Sequence, residues 1–139
     1  MRDRTSLIVL MVLGFCTNVW AVDTTGYSIG TTVSKLKPVG GRIDFQYLWT
    51  APPGHSGSDN LRVHKVGAAD NDFLRYQYIP SYGIAGTVGE TLPSSVIPGE
   101  FYEIRLYAAS GQRLVTSGPM QVVAASDPVP VGNGCLANP

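Results

Sequence analysis

The sequence predicts an all-β domain, a single antiparallel sandwich of about seven strands. Three observations predict it. After residue 21 no segment repeats apolar residues at three- and four-residue spacing, so no amphipathic helix is written there. Alternation of large apolar with polar residues takes its place, most clearly at Ile43, Phe45, Tyr47 and Trp49 against Asp44, Gln46 and Leu48. The 16 glycines and 10 prolines are spread along the chain and punctuate it at the interval of strand-joining turns.

The strands follow in order. Tyr27 to Leu36 reads as the first, with Ile29 and Val33 facing inward. Pro38-Val39-Gly40-Gly41 turns the chain into the Ile43–Trp49 strand, and Ala51 to Gly57 is too rich in Pro and Gly to continue it. Leu61 to Val66 is the third strand, closed by a turn over Gly67 to Asn71. Phe73 to Ile79 is the fourth. Period two places Tyr76 and Tyr78 on one face and Phe73, Arg75, Gln77 and Ile79 on the other. Ile84 to Leu92, rich in Gly and Thr, reads as an edge strand. Phe101 to Tyr107 alternates Tyr102, Ile104 and Leu106 with Phe101, Glu103, Arg105 and Tyr107. Arg113 to Ala124 closes the set, broken at Gly118-Pro119 as by a bulge or a change of sheet.

The ends set the compartment. Met1-Arg2-Asp3-Arg4 precedes an uncharged, mostly apolar run from Leu7 to Phe15. That run has the length of a signal-peptide core. It falls short of the roughly 20 residues a membrane-spanning helix needs. Val19 and Ala21 suit the -3 and -1 positions of a cleavage site, so residues 1–21 are expected to leave and Val22 to begin the mature chain. Cys16 follows Phe15, whose bulk does not suit lipoprotein processing. The domain is assigned to residues 22–125 and a flexible Pro/Gly-rich tail to 126–139. The expected location is secreted, periplasmic or cell-surface, with a bacterial style of leader and no membrane span after cleavage.

Charge and cysteine count narrow the function. Lys plus Arg and Asp plus Glu balance at 10 each, and removing Arg2, Asp3 and Arg4 leaves the acids one ahead. There is no basic field for a nucleic acid. Cys135 is the one cysteine left after cleavage, so it is expected free or in an intermolecular bond.

The order of a Trp-ended strand, a Pro/Gly loop, an Asp-led strand, Tyr-x-Tyr, and Pro-Gly-x-aromatic-aromatic-Glu-x-Arg-Leu-Tyr, with a closing strand after it, resembles immunoglobulin-like domains of the SKICH type. Similar sandwich modules are appended to bacterial extracellular enzymes. The matching positions are Trp49, Asp59, Tyr76, Tyr78, Pro98, Gly99, Tyr102, Glu103, Arg105, Leu106, Tyr107 and Pro119, within residues 40 to 124. The chain departs from that pattern at Asn60-Leu61-Arg62, where such domains carry Trp-Ile-Gly. The resemblance implies a single immunoglobulin-like (fibronectin III-like) sandwich that binds or positions rather than catalyses.

No constellation compels chemistry. A nucleophile needs an adjacent base, and His55 and His64 are the only histidines, with no Gly-x-Ser-x-Gly elbow. His55, Asp59 and His64 flank one loop and strand and offer a metal-dependent reading, although their spacing is loose for zinc. Asp70-Asn71-Asp72 carries oxygen ligands that suit calcium, yet lacks the Gly and distal Glu of a helix-loop-helix site. It reads as a solvated turn. Glu100 and Glu103 read as sheet-face charges, Glu103 within reach of Arg105, rather than as a hydrolytic pair. Tyr102 reads as a corner tyrosine tying a loop to its strand. The expectation is therefore a non-catalytic binding or structural module with no cofactor, engaging a protein partner or a second copy. A carbohydrate-binding accessory role is the alternative. The expected contact residues are Tyr82, Tyr107 and Cys135.

Overall fold

The structure, a computed structural model, describes Val19–Val22 and residues 26–128. The apolar leader core, Cys16 and Cys135 lie outside the described residues. Among the described residues ten strands form: β1 (Val19–Val22), β2 (Ser28–Thr31), β3 (Lys35–Leu36), β4 (Ile43–Thr50), β5 (Asn60–Lys65), β6 (Arg75–Tyr78), β7 (Ala85–Leu92), β8 (Phe101–Tyr107), β9 (Arg113–Thr116) and β10 (Met120–Val122). Among the described residues there is no helix, and hence none long and apolar enough to cross a membrane.

The strands make two sheets. One runs β1-β2-β4-β7; the other runs β3-β10-β8-β5-β6, with β9 also on β8. The pairings are antiparallel except β3 on β10, which is parallel.

The alternation on β4 does what period two requires. Ile43, Phe45, Tyr47 and Trp49 are all buried, while Asp44 and Gln46 face solvent. Ile29, Leu61, Val63, Val88, Leu92, Tyr102, Ile104, Leu106, Met120 and Val122 meet them from both sheets. Burying each of the larger side chains contributes roughly 1.5–3 kcal/mol. Trp49 lies opposite Gly86 of β7, and its indole occupies the space a side chain there would fill. A Cβ on Gly86 would sit 2.8 Å from Trp49 Nε1.

Several strand expectations are corrected. The first strand is not continuous: β2 belongs to one sheet and β3 to the other, and the chain changes sheets between them. Val33 sits on that crossover and is exposed, not inward, because a chain leaving one sheet for another leaves the core as well. The closing strand breaks at Gly118-Pro119 as expected, into β9 and β10, but without a change of sheet, since both halves pair with β8. Ser117 fills the break, its N–H donating to the Ile104 carbonyl (2.8 Å) and its Oγ accepting from the Ile104 N–H (2.9 Å). The regular part of the fourth strand is only Arg75–Tyr78. Phe73 precedes it and its ring lies with Tyr76 and Tyr78, not on the opposite face. The expected cut after Ala21 falls inside β1.

Tyr102 ties its strand to the preceding turn as a corner residue would, through a carboxylate. Its hydroxyl donates to Glu100 Oε2 (2.6 Å), which also accepts from the Ile97 N–H (3.3 Å). The bond from Lys65, then that from Tyr102, pulls the Glu100 carboxyl down to about 2.

Candidate functional site: an aromatic edge over a buried charge clamp

The residues facing away from the core on the second sheet form rows across its strands. Asn60 of β5 stands opposite Tyr78 on one side and Tyr107 on the other; Arg62 stands likewise between Tyr76 and Arg105. Period two read as a surface would leave all of these in water. The structure instead folds residues 67–73 back across the rows. Asp70 is the anchor. Its Oδ1 accepts from Arg105 NH1 (2.8 Å) and from the Tyr107 hydroxyl (2.9 Å), with Arg113 NH1 at 3.5 Å. Its carbonyl accepts from Arg62 NH1 (3.1 Å).

The clamp buries groups that rarely leave water. Arg105 is 3% exposed and Tyr107 and His64 are fully buried. A buried guanidinium is costly unless paired and hydrogen-bonded. Arg105 meets that condition through Asp70 and through Glu103, which its Nε and NH2 reach at 2.8 and 2.7 Å. The Glu103–Arg105 pairing on one face is thus present, but its arginine is not a surface charge. The Tyr107 bond, and the charges of Arg113 and Arg105, hold the Asp70 carboxyl below its ordinary range despite desolvation.

His64 is pushed below the usual histidine range by burial, with the Arg105 charge adding to it. The neutral ring donates from Nδ1 to the Asp72 carbonyl (2.8 Å), a tautomer assigned from the network. Nε2 then faces the Tyr107 hydroxyl at 3.1 Å.

Above the clamp stands a row of exposed rings. Phe73 meets Tyr76 edge-on at 5.8 Å, and Tyr76 meets Tyr78 edge-on at 5.6 Å. Tyr76 and Tyr78 are 53% and 55% exposed on a strand at the end of its sheet. Arg62 joins the two levels: its guanidinium carbon lies 4.2 Å from the buried Tyr107 ring centre and 5.0 Å from that of Phe73. The β6 edge is also open. Ile79 N–H bonds to the Asp59 carbonyl (3.0 Å), so in this register Arg75 and Gln77 point their backbone groups at β5. Tyr76 and Tyr78 point theirs outward.

The residues singled out by sequence are distributed otherwise than expected. Tyr82 is 93% exposed on the turn after β6. Tyr107 is not a surface contact, because the 67–73 loop and Arg62 cover it. His55 and Asp59 do meet, Nδ1 to Oδ2 at 3.6 Å. His64 does not join them. It lies five residues further along an extended chain, roughly 16 Å at ~3.3 Å per residue, on the opposite face. The metal-dependent grouping of His55, Asp59 and His64 is therefore not formed.

Asp59 is instead a structural tie. It accepts from the Tyr27 hydroxyl (2.7 Å) and the Ala109 N–H (2.8 Å), joining three loops at one end of the sandwich. The His55 nitrogens face the carbonyls of Gly83 (2.7 Å) and Ser56 (3.1 Å). Asp70 is not a self-bonded turn residue: its carboxylate is committed to cationic and hydroxyl donors across the sheet. Among the described residues no group of three or more metal-ligating side chains converges.

Sequence reasoning missed Arg62, Phe73 and the clamping role of Asp70. The available signal was the polar set Asn60, Arg62 and His64 alternating with Leu61 and Val63. Compared with known proteins, the chain matches no family model and no curated sequence.

Proposed function

We propose that this is an extracytoplasmic, non-catalytic binding module that engages a protein partner through the aromatic edge of β6. The observation that carries this reading is the exposed Phe73–Tyr76–Tyr78 row on a strand whose outward backbone groups are unpaired among the described residues. Tyrosine supplies large contact area with little conformational entropy to lose, and an open edge can add a partner strand. Arg62 ties the clamp to the Phe73 end of the row, its guanidinium carbon 5.0 Å from that ring centre, and a ring positioned before contact lowers the cost of binding. The leader-like N-terminus supports an exported location.

The strand order supports an immunoglobulin-like sandwich. Taken as single broken strands, β2 with β3 and β9 with β10 leave seven, plus β1. A first strand shared between sheets and parallel to the last is the pattern of such domains, and it agrees with the resemblance to SKICH-type modules.

The test is a photo-cross-linking side chain placed at Tyr78 of the chain expressed in its own cell envelope. A discrete protein adduct that disappears in Tyr76→Ala is expected. No adduct, together with Tyr76-dependent retention on immobilised polysaccharide, would replace the protein partner with a carbohydrate.

A further inference from the structure

The longest open strand edge belongs to β7, on the other sheet. β7 is eight residues long and pairs with β4 without a register break, from Ile43↔Leu92 to Thr50↔Ala85. The Ala51 N–H donates to the Ile84 carbonyl (2.9 Å), which fixes the phase of the ladder. Gly86, Val88, Glu90 and Leu92 therefore direct their backbone groups at β4, while Ala85, Thr87, Gly89 and Thr91 direct theirs away from the sheet. Among the described residues no strand receives them. One carbonyl, that of Thr91, is met by Arg75 Nε at 3.4 Å.

Sheet edges are ordinarily blunted by lysine, proline or a bulge. β7 has none of these. Its one charge, Glu90, is partly buried, and burial raises its carboxyl above the ordinary value.

We propose that β7 pairs antiparallel with β7 of a second copy, joining the two four-stranded sheets into one across a two-fold axis. A strand that opposes itself must not set like charges face to face. Centred between Thr87 and Gly89, the pairing sets Thr87 against Gly89 and Ala85 against Thr91 of the other copy, all small and uncharged. Three charges reach the Thr91 end of the edge: Arg42 and Asp44, which pair with each other at 3.3 Å, and Arg75, whose Nε lies on the Thr91 carbonyl. Exposed Tyr82 and Ile84 precede the same strand. This edge and β6 belong to different sheets, joined where Arg75 reaches the Thr91 carbonyl, and the inference does not rest on the function proposed for β6.

Sedimentation equilibrium of the full mature chain carrying Cys135→Ser, so that no disulfide dimer forms, tests it. A reversible dimer is expected. Gly89→Lys places an edge lysine where a Cβ meets nothing within 4 Å. Thr87→Pro removes an outward N–H and no bond to β4. Each should raise the dimer dissociation constant at least tenfold with unchanged far-UV circular dichroism, while Tyr76→Ser should not change it. A chain that stays monomeric at about millimolar concentration, or a dimer indifferent to both β7 variants, overturns the proposal.

Discussion

Asp59→Ala separates a structural carboxylate from a metal ligand. Asp59 is 2% exposed and accepts from the Tyr27 hydroxyl on Oδ2 and from the Ala109 N–H on Oδ1. Hydrogen bonds to a charged group contribute about 1.5–3 kcal/mol each. Tyr27 is half-buried and Ala109 exposed, so both donors freed by truncation regain some water. That places Asp59→Ala at about 3–4.5 kcal/mol, in the lower half of the sum. Asp59→Asn keeps an oxygen for Ala109 and turns an amide toward the Tyr27 hydroxyl, which then accepts; about 1–2 kcal/mol is expected. Urea unfolding gives both values from the midpoint at constant slope. The wild-type midpoint is expected to be the same with and without chelator. Equal costs for Ala and Asn, a cost below about 0.5 kcal/mol for Ala, or a chelator-sensitive wild type would refute the reasoning.

Two further outcomes follow from the same geometry. His64 is held below its unfolded pKa, so the native state binds fewer protons; its contribution to stability is full above about pH 6.5 and is lost as the pH falls toward the lower native value. The urea midpoint should drop between pH 7.5 and 5.5 more steeply for wild type than for His64→Gln, and parallel profiles would exclude the buried neutral ring. Gly86→Val should cost about 1–3 kcal/mol by driving a side chain into the Trp49 indole, with a changed near-UV tryptophan signal. Gly89→Val on the same strand meets no neighbour and should be close to neutral, so equal effects at the two glycines would contradict the Trp49 placement.

How far the sequence was legible depended on which face of a strand was read. On β4 the inward residues are large and the outward ones polar, so hydrophobic burial alone assigns the face. β8 shows the limit. Tyr102, Ile104 and Leu106 were legible as core, but Arg105 and Tyr107 alternate with them and carry polar groups, which mark a solvent face. Their burial depends on Asp70, distant in sequence, arriving with a carboxylate. Nothing local to Phe101–Tyr107 encodes that arrival. Phe73 was placed on the wrong face for a related reason: period two was extended beyond the point where pairing begins at Arg75.

What the sequence determined by itself was the all-β character, the turn positions at Pro and Gly, and the inner faces of β4 and β8. These follow from side-chain volume, period and backbone restriction, which act within a few residues. Tertiary structure alone decided the division of β2 from β3 and the fate of the polar residues. It separated His64 from His55 and Asp59, brought the Asp70 carboxylate to Arg105, and set the Phe73 ring beside those of β6. Those outcomes rest on pairing between distant segments, where a charge is stable in the interior only if a partner from elsewhere in the chain meets it.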